Sequence, residues 1–162
     1  MLIASDIHFD IQDPTLLTRF ESAALNRRSN PDRVVVLAGD LTQRARSSEY
    51  DQARSLVERL VFGGTSVILT PGNHDHGSGP GERLPLVGTS ARHRFLELVD
   101  LVSSHPAVTA RRDADTITVC GRDVFVALRS THRGQKKWAK LRGIGRIRSE
   151  QLDWATSRLD SL

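Results

Sequence analysis

The stretch RVVVLAGD, residues 33–40, decides the fold class of this chain of 162 residues. Its apolar run is rich in β-branched residues and ends in Gly39-Asp40, which is typical of a strand buried on both faces of a parallel sheet. Apolar runs of the same kind occupy residues 2–5 and 67–69. Three such strands, separated by stretches of helical periodicity, predict an α/β fold with a parallel sheet.

Helical periodicity lies on both sides of the stretch at residues 33–40. The spacing predicts a helix over residues 14–28, with Asp13 as its N-cap, and a second helix from Ser47 or Ser48 to Phe62. Downstream, the patterns predict an irregular loop, a helix, a β-hairpin and a last helix. Their bounds are 77–88 for the loop, 91–102 for the helix, 115–119 and 124–128 for the hairpin strands, and a start near Glu150, capped by Ser149, for the last helix. With no internal repeat and no boundary signal, residues 1–162 are interpreted as a single domain.

Three polar clusters directly follow the three predicted parallel strands. They are Ser5-Asp6-Ile7-His8, Gly39-Asp40 and Gly72-Asn73-His74-Asp75. The carboxyl ends of parallel strands share one edge of an open sheet, where ligands usually bind. We therefore expect these clusters to converge on one site.

The residue types in these clusters suit a pair of metal ions. Side chains two residues apart in extended backbone point the same way, so Asp6 and His8 can bind one ion together. Asp40 has two carboxylate oxygens and is suited to bridge two ions, while Asn73 offers a neutral amide oxygen. This mixture of oxygen and imidazole favours Mn, Fe or Zn over calcium. Two such ions can hold a hydroxide and a phosphate group.

The turn after the third strand carries two further candidate residues. As an imidazolium, His74 can protonate or stabilise a leaving oxygen, and we expect Asp75 to orient its ring. The surrounding glycines permit a tight turn and a close approach of phosphate.

The ordered set Asp6-x-His8, Gly39-Asp40 and Gly72-Asn73-His74-Asp75 resembles the calcineurin-like metallophosphoesterase superfamily. Residues 39–45, GDLTQRA, and 149–154, SEQLDW, resemble its bacterial branch of cyclic-nucleotide-phosphodiesterase-like proteins. The resemblance implies an αββα sandwich and a metal-dependent phosphoesterase that hydrolyses phosphodiesters or phosphomonoesters, cyclic nucleotides included, by metal-activated hydroxide. It further implies that Asp6, His8, Asp40 and Asn73 bind two divalent ions, and that His74 and Asp75 assist catalysis.

The sequence departs from the family pattern towards its end. The family pattern continues with a histidine after a later strand and a Gly-His-x-His turn, whereas here no histidine follows His132 and no Gly-His pair occurs. The expectation is the N-terminal portion of the family's domain, with the C-terminal strands missing and the activity impaired. The alternative is a degenerate, non-catalytic interaction module on the same fold.

Charge and cysteine content indicate partners and compartment. The net charge of +4 suggests an anionic partner, which the resemblance makes a small phosphate ester. Residues 129–148 hold eight Lys or Arg and no acid, so nucleic acid is a weaker second partner, with a solvated basic loop as the favoured interpretation. A single cysteine and the lack of a signal or membrane-spanning window predict a cytoplasmic protein without a membrane partner.

Overall fold

A computed structural model describes residues 1–26, 33–76, 85–130 and 145–162, without the side chains of residues 85–89. The strands in these ranges are β1 Leu2–Ala4, β2 Val34–Ala38, β3 Ser66–Thr70, β4 Val108–Arg112, β5 Asp115–Cys120 and β6 Asp123–Ala127. The helices are α1 Pro14–Leu25, α2 Ser47–Phe62, α3 Pro85–Ser103 and α4 Ser149–Leu159, and one 3₁₀ turn spans His74–His76. The described parts thus form a mixed α/β fold with parallel and antiparallel sheets, as predicted.

The first three strands form a parallel sheet in the order β1-β2-β3, which confirms the expected arrangement. In the central strand, Val35 and Leu37 are fully buried on one face and Val34 is buried on the other, so the start of this strand is covered on both faces. Because the strands are parallel, the segments that follow Ala4, Ala38 and Thr70 leave the same edge of the sheet.

The last three strands form an antiparallel sheet in the order β4-β5-β6. It stacks on β3 through β5 and β6, and Val34, Ile68 and Ala127 are buried between the two sheets. The antiparallel sheet covers the parallel sheet unevenly. Ile68 in β3 is 4% exposed, whereas Ile3, in the same row of the edge strand β1, is 61% exposed.

The other face of the parallel sheet is covered by helices, which gives the layers helix, sheet, sheet. Residues with helical spacing provide the buried stripes, and Asp13 caps α1 by accepting a 2.8 Å hydrogen bond from the Thr15 N–H, as predicted. The buried apolar residues described in α2 and α3 are Tyr50, Ala53, Leu56, Val57, Leu60, Val61, Ala91, Phe95, Leu98, Val99 and Val102.

Helix α4 is attached to the antiparallel sheet by buried polar groups. The Gln151 side-chain amide donates to both carboxylate oxygens of Asp115 at 3.0 Å and to the Arg129 carbonyl at 2.9 Å. The Arg129 N–H also donates to Asp115, at 2.7 Å. This contact fixes the chain that leaves β6 and leads towards Ser130.

Several predicted bounds were wrong. Helix α3 begins at Pro85 and not near Ala91, so the predicted loop is incorrect over residues 85–88, while residues 77–84 lie outside the described ranges. Proline is accepted at the start of a helix because the N–H it lacks has no partner there. Strand β4 was missed, and α4 begins at Ser149, so this residue lies inside the helix and does not cap it.

Within the described ranges, every helix is too short or too polar to cross a membrane.

Candidate metal centre

The segment after β1 runs beside the segment after β2, beyond the ends of both strands. The Asp6 N–H donates to the Gly39 carbonyl at 3.1 Å, and the His8 N–H donates to the Asp40 carbonyl at 3.0 Å. The Phe9 N–H likewise donates to the Leu41 carbonyl, at 2.9 Å. These hydrogen bonds bring the first two polar clusters of the sequence side by side.

Asp6, His8 and Asp40 converge as the sequence predicted. Each offers one ligand atom, and these three atoms all lie within 4.8 Å of one another. Asp6 is exposed, and His8 and Asp40 are partly buried. Carboxylate oxygen and imidazole nitrogen at this separation form a donor set that fits a transition-metal or zinc ion.

The reason given for this convergence was wrong. Asp6 and His8 do not lie in extended backbone: their φ angles are +55° and +49°, and that of Asp40 is +51°. Three of the four candidate ligands are thus in the left-handed region, where the described residues place only two other non-glycine residues, Ala45 and Asp113. Such conformations cost on the order of 1 kcal/mol and cluster at functional sites. The surrounding structure must offset this cost, and the backbone hydrogen bonds between the two segments do so in part.

Asp40 also joins the second and third polar clusters. Its Oδ1 accepts a 2.8 Å hydrogen bond from the His74 N–H. Gly72 lies against it so closely that a Cβ atom at this position would be 2.0 Å from Asp40 Oδ1 and 2.4 Å from the Asp40 nitrogen. Only glycine fits there, since no Cβ approaches another heavy atom so closely.

Asn73 lies beside Asp40 at the wall of an open cavity of about 210 Å³, a volume of several water molecules. The cavity is lined by the ends of β2 and β3 and by the chain that follows β6. Its lining residues are Ala38, Gly39, Asp40, Thr70, Pro71, Gly72, Asn73, Leu128, Ser130 and Gly145. The third polar cluster therefore reaches the same edge as the first two.

The imidazole of His74 lies next to that of His8. The ring centroids are 4.9 Å apart and the rings meet edge to face at 83°. The Nδ1 atom of His74 lies 2.8 Å from the Gln43 carbonyl oxygen, which accepts the hydrogen bond. In the described contacts, the Gln43 carbonyl is the group that orients this ring.

Asp75 is fully buried and its carboxylate is bonded to backbone and to a hydroxyl group. Oδ1 accepts from the Thr42 N–H at 2.9 Å and from the Thr42 hydroxyl at 3.1 Å, and Oδ2 accepts from the Gly72 N–H at 2.9 Å. Burial raises the pKa of Asp75 to about 6, although the hydrogen bonds from Gly72 and Thr42 favour the charged form. The described hydrogen bonds of this carboxylate thus go to Thr42 and Gly72, and the orientation of the His74 ring by Asp75 remains a prediction.

Sequence reasoning missed the residues that support this site. Thr42 and Tyr50 are buried, and the Tyr50 hydroxyl donates to the Asp75 carbonyl at 2.5 Å. Burial raises the pKa of that hydroxyl, and the charge of Asp75 adds to the effect, so Tyr50 remains a neutral donor. The only signal for Thr42 in the sequence was its place two residues after Asp40, in the stretch that carries the family resemblance.

Most of the basic segment at residues 129–148 lies outside the described ranges, and His132 lies there too. Of the described part, Arg129 forms an ion pair with Asp113, at 2.7 Å. That pairing leaves its charge engaged within the fold.

A layered α/β fold with carboxylate and imidazole donors at the carboxyl ends of parallel strands carries a candidate metal site at the edge of the sheet where ligands usually bind. A family model for calcineurin-like phosphoesterases matches residues 1–158. The chain therefore belongs to the calcineurin-like phosphoesterase family. A search of the curated proteins finds no match to it.

Proposed function

We propose that this protein hydrolyses phosphodiesters or phosphomonoesters, with cyclic nucleotides among the candidate substrates. The observation that carries the proposal is the convergence of Asp6, His8 and Asp40 within 4.8 Å, all in left-handed backbone. Family membership supplies the reaction class, hydrolysis of phosphoric esters.

Asp6, His8 and Asp40 would hold one divalent ion, and Asp40 and Asn73 would hold a second. When bound, divalent ions of this kind lower the pKa of water and offset the negative charge of a phosphate group. The mixed donors favour manganese, iron or zinc over calcium.

As an imidazolium, with a proton on both ring nitrogens, His74 is proposed to donate the Nε2 proton to the leaving oxygen and to remain as the neutral Nδ1–H tautomer. The Gln43 carbonyl accepts the Nδ1 proton, so the proposal assigns the transferred proton to Nε2. The His74 ring lies beside that of His8, a proposed metal ligand, with the ring centroids 4.9 Å apart. Asp75, which the sequence suggested as a direct partner of the ring, is assigned a supporting role in place of proton transfer.

The cavity beside Asp40 and Asn73 is proposed to receive the phosphate group. It lies between the strand ends, and Gly72 lets the backbone approach the site closely. The open side of the cavity leaves room for the remainder of an ester.

The test is hydrolysis of bis-p-nitrophenyl phosphate by the full chain with added manganese. We expect measurable turnover that Asp40→Ala reduces by about a thousandfold, because the alanine variant loses the one carboxylate that both proposed ions share. The matched control is Asp123→Ala, which removes an exposed carboxylate at the start of β6. Turnover that survives Asp40→Ala would refute the assigned centre.

Calorimetric titration with manganese separates this proposal from a non-catalytic interaction module. Uptake of two equivalents that Asp40→Ala abolishes supports an enzyme. If the folded chain shows no manganese uptake and no turnover, the interaction module is favoured.

A further inference from the structure

Two successive backbone carbonyls, those of Thr42 and Gln43, face two imidazole rings. The Thr42 carbonyl lies 3.2 Å from His8 Nδ1, and the Gln43 carbonyl lies 2.8 Å from His74 Nδ1. A carbonyl oxygen only accepts hydrogen bonds, so both Nδ1 atoms must carry the proton. Each neutral ring is then left with an unprotonated Nε2.

For His8, this tautomer is the one that a metal ion requires. The Nε2 atom of His8 lies 3.9 Å from Asp6 Oδ1 and is therefore on the side of the carboxylates. A histidine ligand commonly donates its second ring N–H to a carbonyl or carboxylate, which fixes both its tautomer and its orientation.

The two carbonyls belong to a loop that is anchored by one buried pair of residues. Both the N–H and the hydroxyl of Thr42 donate to Asp75 Oδ1, and neither residue is exposed to solvent. Asp75 is in turn held by the Gly72 N–H on its other oxygen and by the Tyr50 hydroxyl on its carbonyl. We call the pair of hydrogen bonds from Thr42 to Asp75 the Thr42–Asp75 link.

We infer that the Thr42–Asp75 link is a positioning device that holds His8 and His74 together in the Nδ1–H tautomer. The inference deepens the proposed function and rests on it for the roles of the two rings. The Thr42 hydroxyl is the specific group involved, because it fixes the plane of the peptide whose oxygen faces His8 and the position of the next peptide, whose oxygen faces His74. Thr42 and Asp75 are positioning residues and need not touch substrate.

The test is long-range ¹H–¹⁵N NMR of the full chain without metal, at a pH where the rings are neutral. Signals of the two rings are assigned with His8→Gln and His74→Gln. We expect both rings of the unaltered chain to show the Nδ1–H tautomer. In Thr42→Val, which keeps the side-chain volume and removes the hydroxyl, both rings should become mixtures of tautomers, and manganese affinity should fall about tenfold.

Two further variants serve as rescue and control. Thr42→Ser keeps the hydroxyl and should restore the single tautomer in both rings. Thr118→Val removes another buried threonine hydroxyl, in β5, which has no hydrogen-bond partner among the described residues. It should leave tautomers and manganese affinity unchanged.

The result for the unaltered chain decides the first half of the inference without any variant, since an Nε2–H tautomer in either ring would overturn it. If Thr42→Val lowers the free energy of unfolding but both rings keep one tautomer, the link is structural only and the inference fails. If the tautomers behave as expected but the chain shows no phosphoesterase turnover, the positioning device stands and the proposed function fails.

Discussion

Two buried aspartates, Asp75 and Asp115, hold different parts of this molecule together in different ways. Asp75 joins two loops at the carboxyl ends of the parallel strands, through Thr42 and Gly72. Asp115 joins β5 to helix α4, through Gln151 and the Arg129 N–H. Both carboxylates accept three or more hydrogen bonds, so the number of partners does not distinguish them.

The difference lies in what each aspartate supports. The loops that Asp75 joins lie beside three residues with positive φ angles, Asp6, His8 and Asp40. Asp115 begins the regular strand β5, although Asp113 in the turn before it also has a positive φ angle, of +57°. Equally buried carboxylates thus serve either the candidate site or the scaffold, and the groups that each one holds in place, not a nearby positive φ angle, tell which.

The largest effect should come from adding one methyl group at Gly72, in one of the two loops that Asp75 joins. In Gly72→Ala, the new Cβ would lie 2.0 Å from Asp40 Oδ1, so the carboxylate and the turn must separate by about 1 Å. A displacement of this size at the proposed shared metal ligand should reduce manganese-dependent turnover by on the order of a hundredfold. Steady-state kinetics with bis-p-nitrophenyl phosphate measures it.

The matched control is Gly121→Ala in the hairpin between β5 and β6. Gly121 has φ +61°, but a Cβ added there would meet no atom of the described residues within 4 Å beyond its chain neighbours. The substitution should cost about 1 kcal/mol of stability and leave turnover unchanged. Equal losses of turnover in the two variants would contradict the assigned contact between Gly72 and Asp40.

The next largest effect should be a pH dependence of the free energy of unfolding, caused by the Asp75 carboxyl group. Its pKa is about 6 in the folded chain and 3.8 as the ordinary value, so between these values the native state keeps a proton that the unfolded state loses. The contribution to stability is therefore complete below about pH 4 and is lost as the pH rises to about 6, by about 3 kcal/mol. Urea unfolding of the metal-free chain, compared with Asp75→Asn at each pH, measures this loss. Parallel curves for the two proteins over that range would show that the carboxyl is not perturbed.

The smallest effect should come from a substitution in the scaffold, at Asp115. Asp115→Ala leaves the Arg129 N–H without its acceptor. The buried NH₂ group of Gln151 then keeps only the Arg129 carbonyl as an acceptor among the described contacts. We expect a loss of about 2 kcal/mol in the free energy of unfolding, from urea denaturation, with the tautomers of His8 and His74 unchanged. The exposed Asp123→Ala should change stability by less than about 0.5 kcal/mol. A change of tautomer in Asp115→Ala would remove the distinction between the two aspartates.

The regular elements of the fold were predictable because their signals are local. A continuous apolar run predicted β2, and helical spacing with a capping Asp13 predicted α1. The start of α3 at Pro85 and the strand β4 were not predicted. Residues 108–112 alternate weakly and include two exposed arginines, so their strand depends on pairing with β5 and not on their own pattern.

The candidate site was predictable in its members and not in its geometry. The order of three polar clusters after three strands indicated which residues converge, and Asp6, His8 and Asp40 do so. The extended backbone assumed for Asp6 and His8 was wrong, because hydrogen bonds to the segment after β2 hold them in left-handed conformations. The roles assigned to Asn73, His74 and Asp75 remain predictions.

The sequence by itself determined the fold class, the family and the residues that meet at one sheet edge, because strand patterns and residue order are local properties of the chain. Only the tertiary structure decided that Thr42 anchors Asp75, that two carbonyls orient two imidazoles, and that Gln151 is buried against Asp115. These contacts join residues more than twenty positions apart, so no local pattern records them. The contacts join aspartates and histidines to backbone groups and neutral side chains, which any sequence offers in abundance.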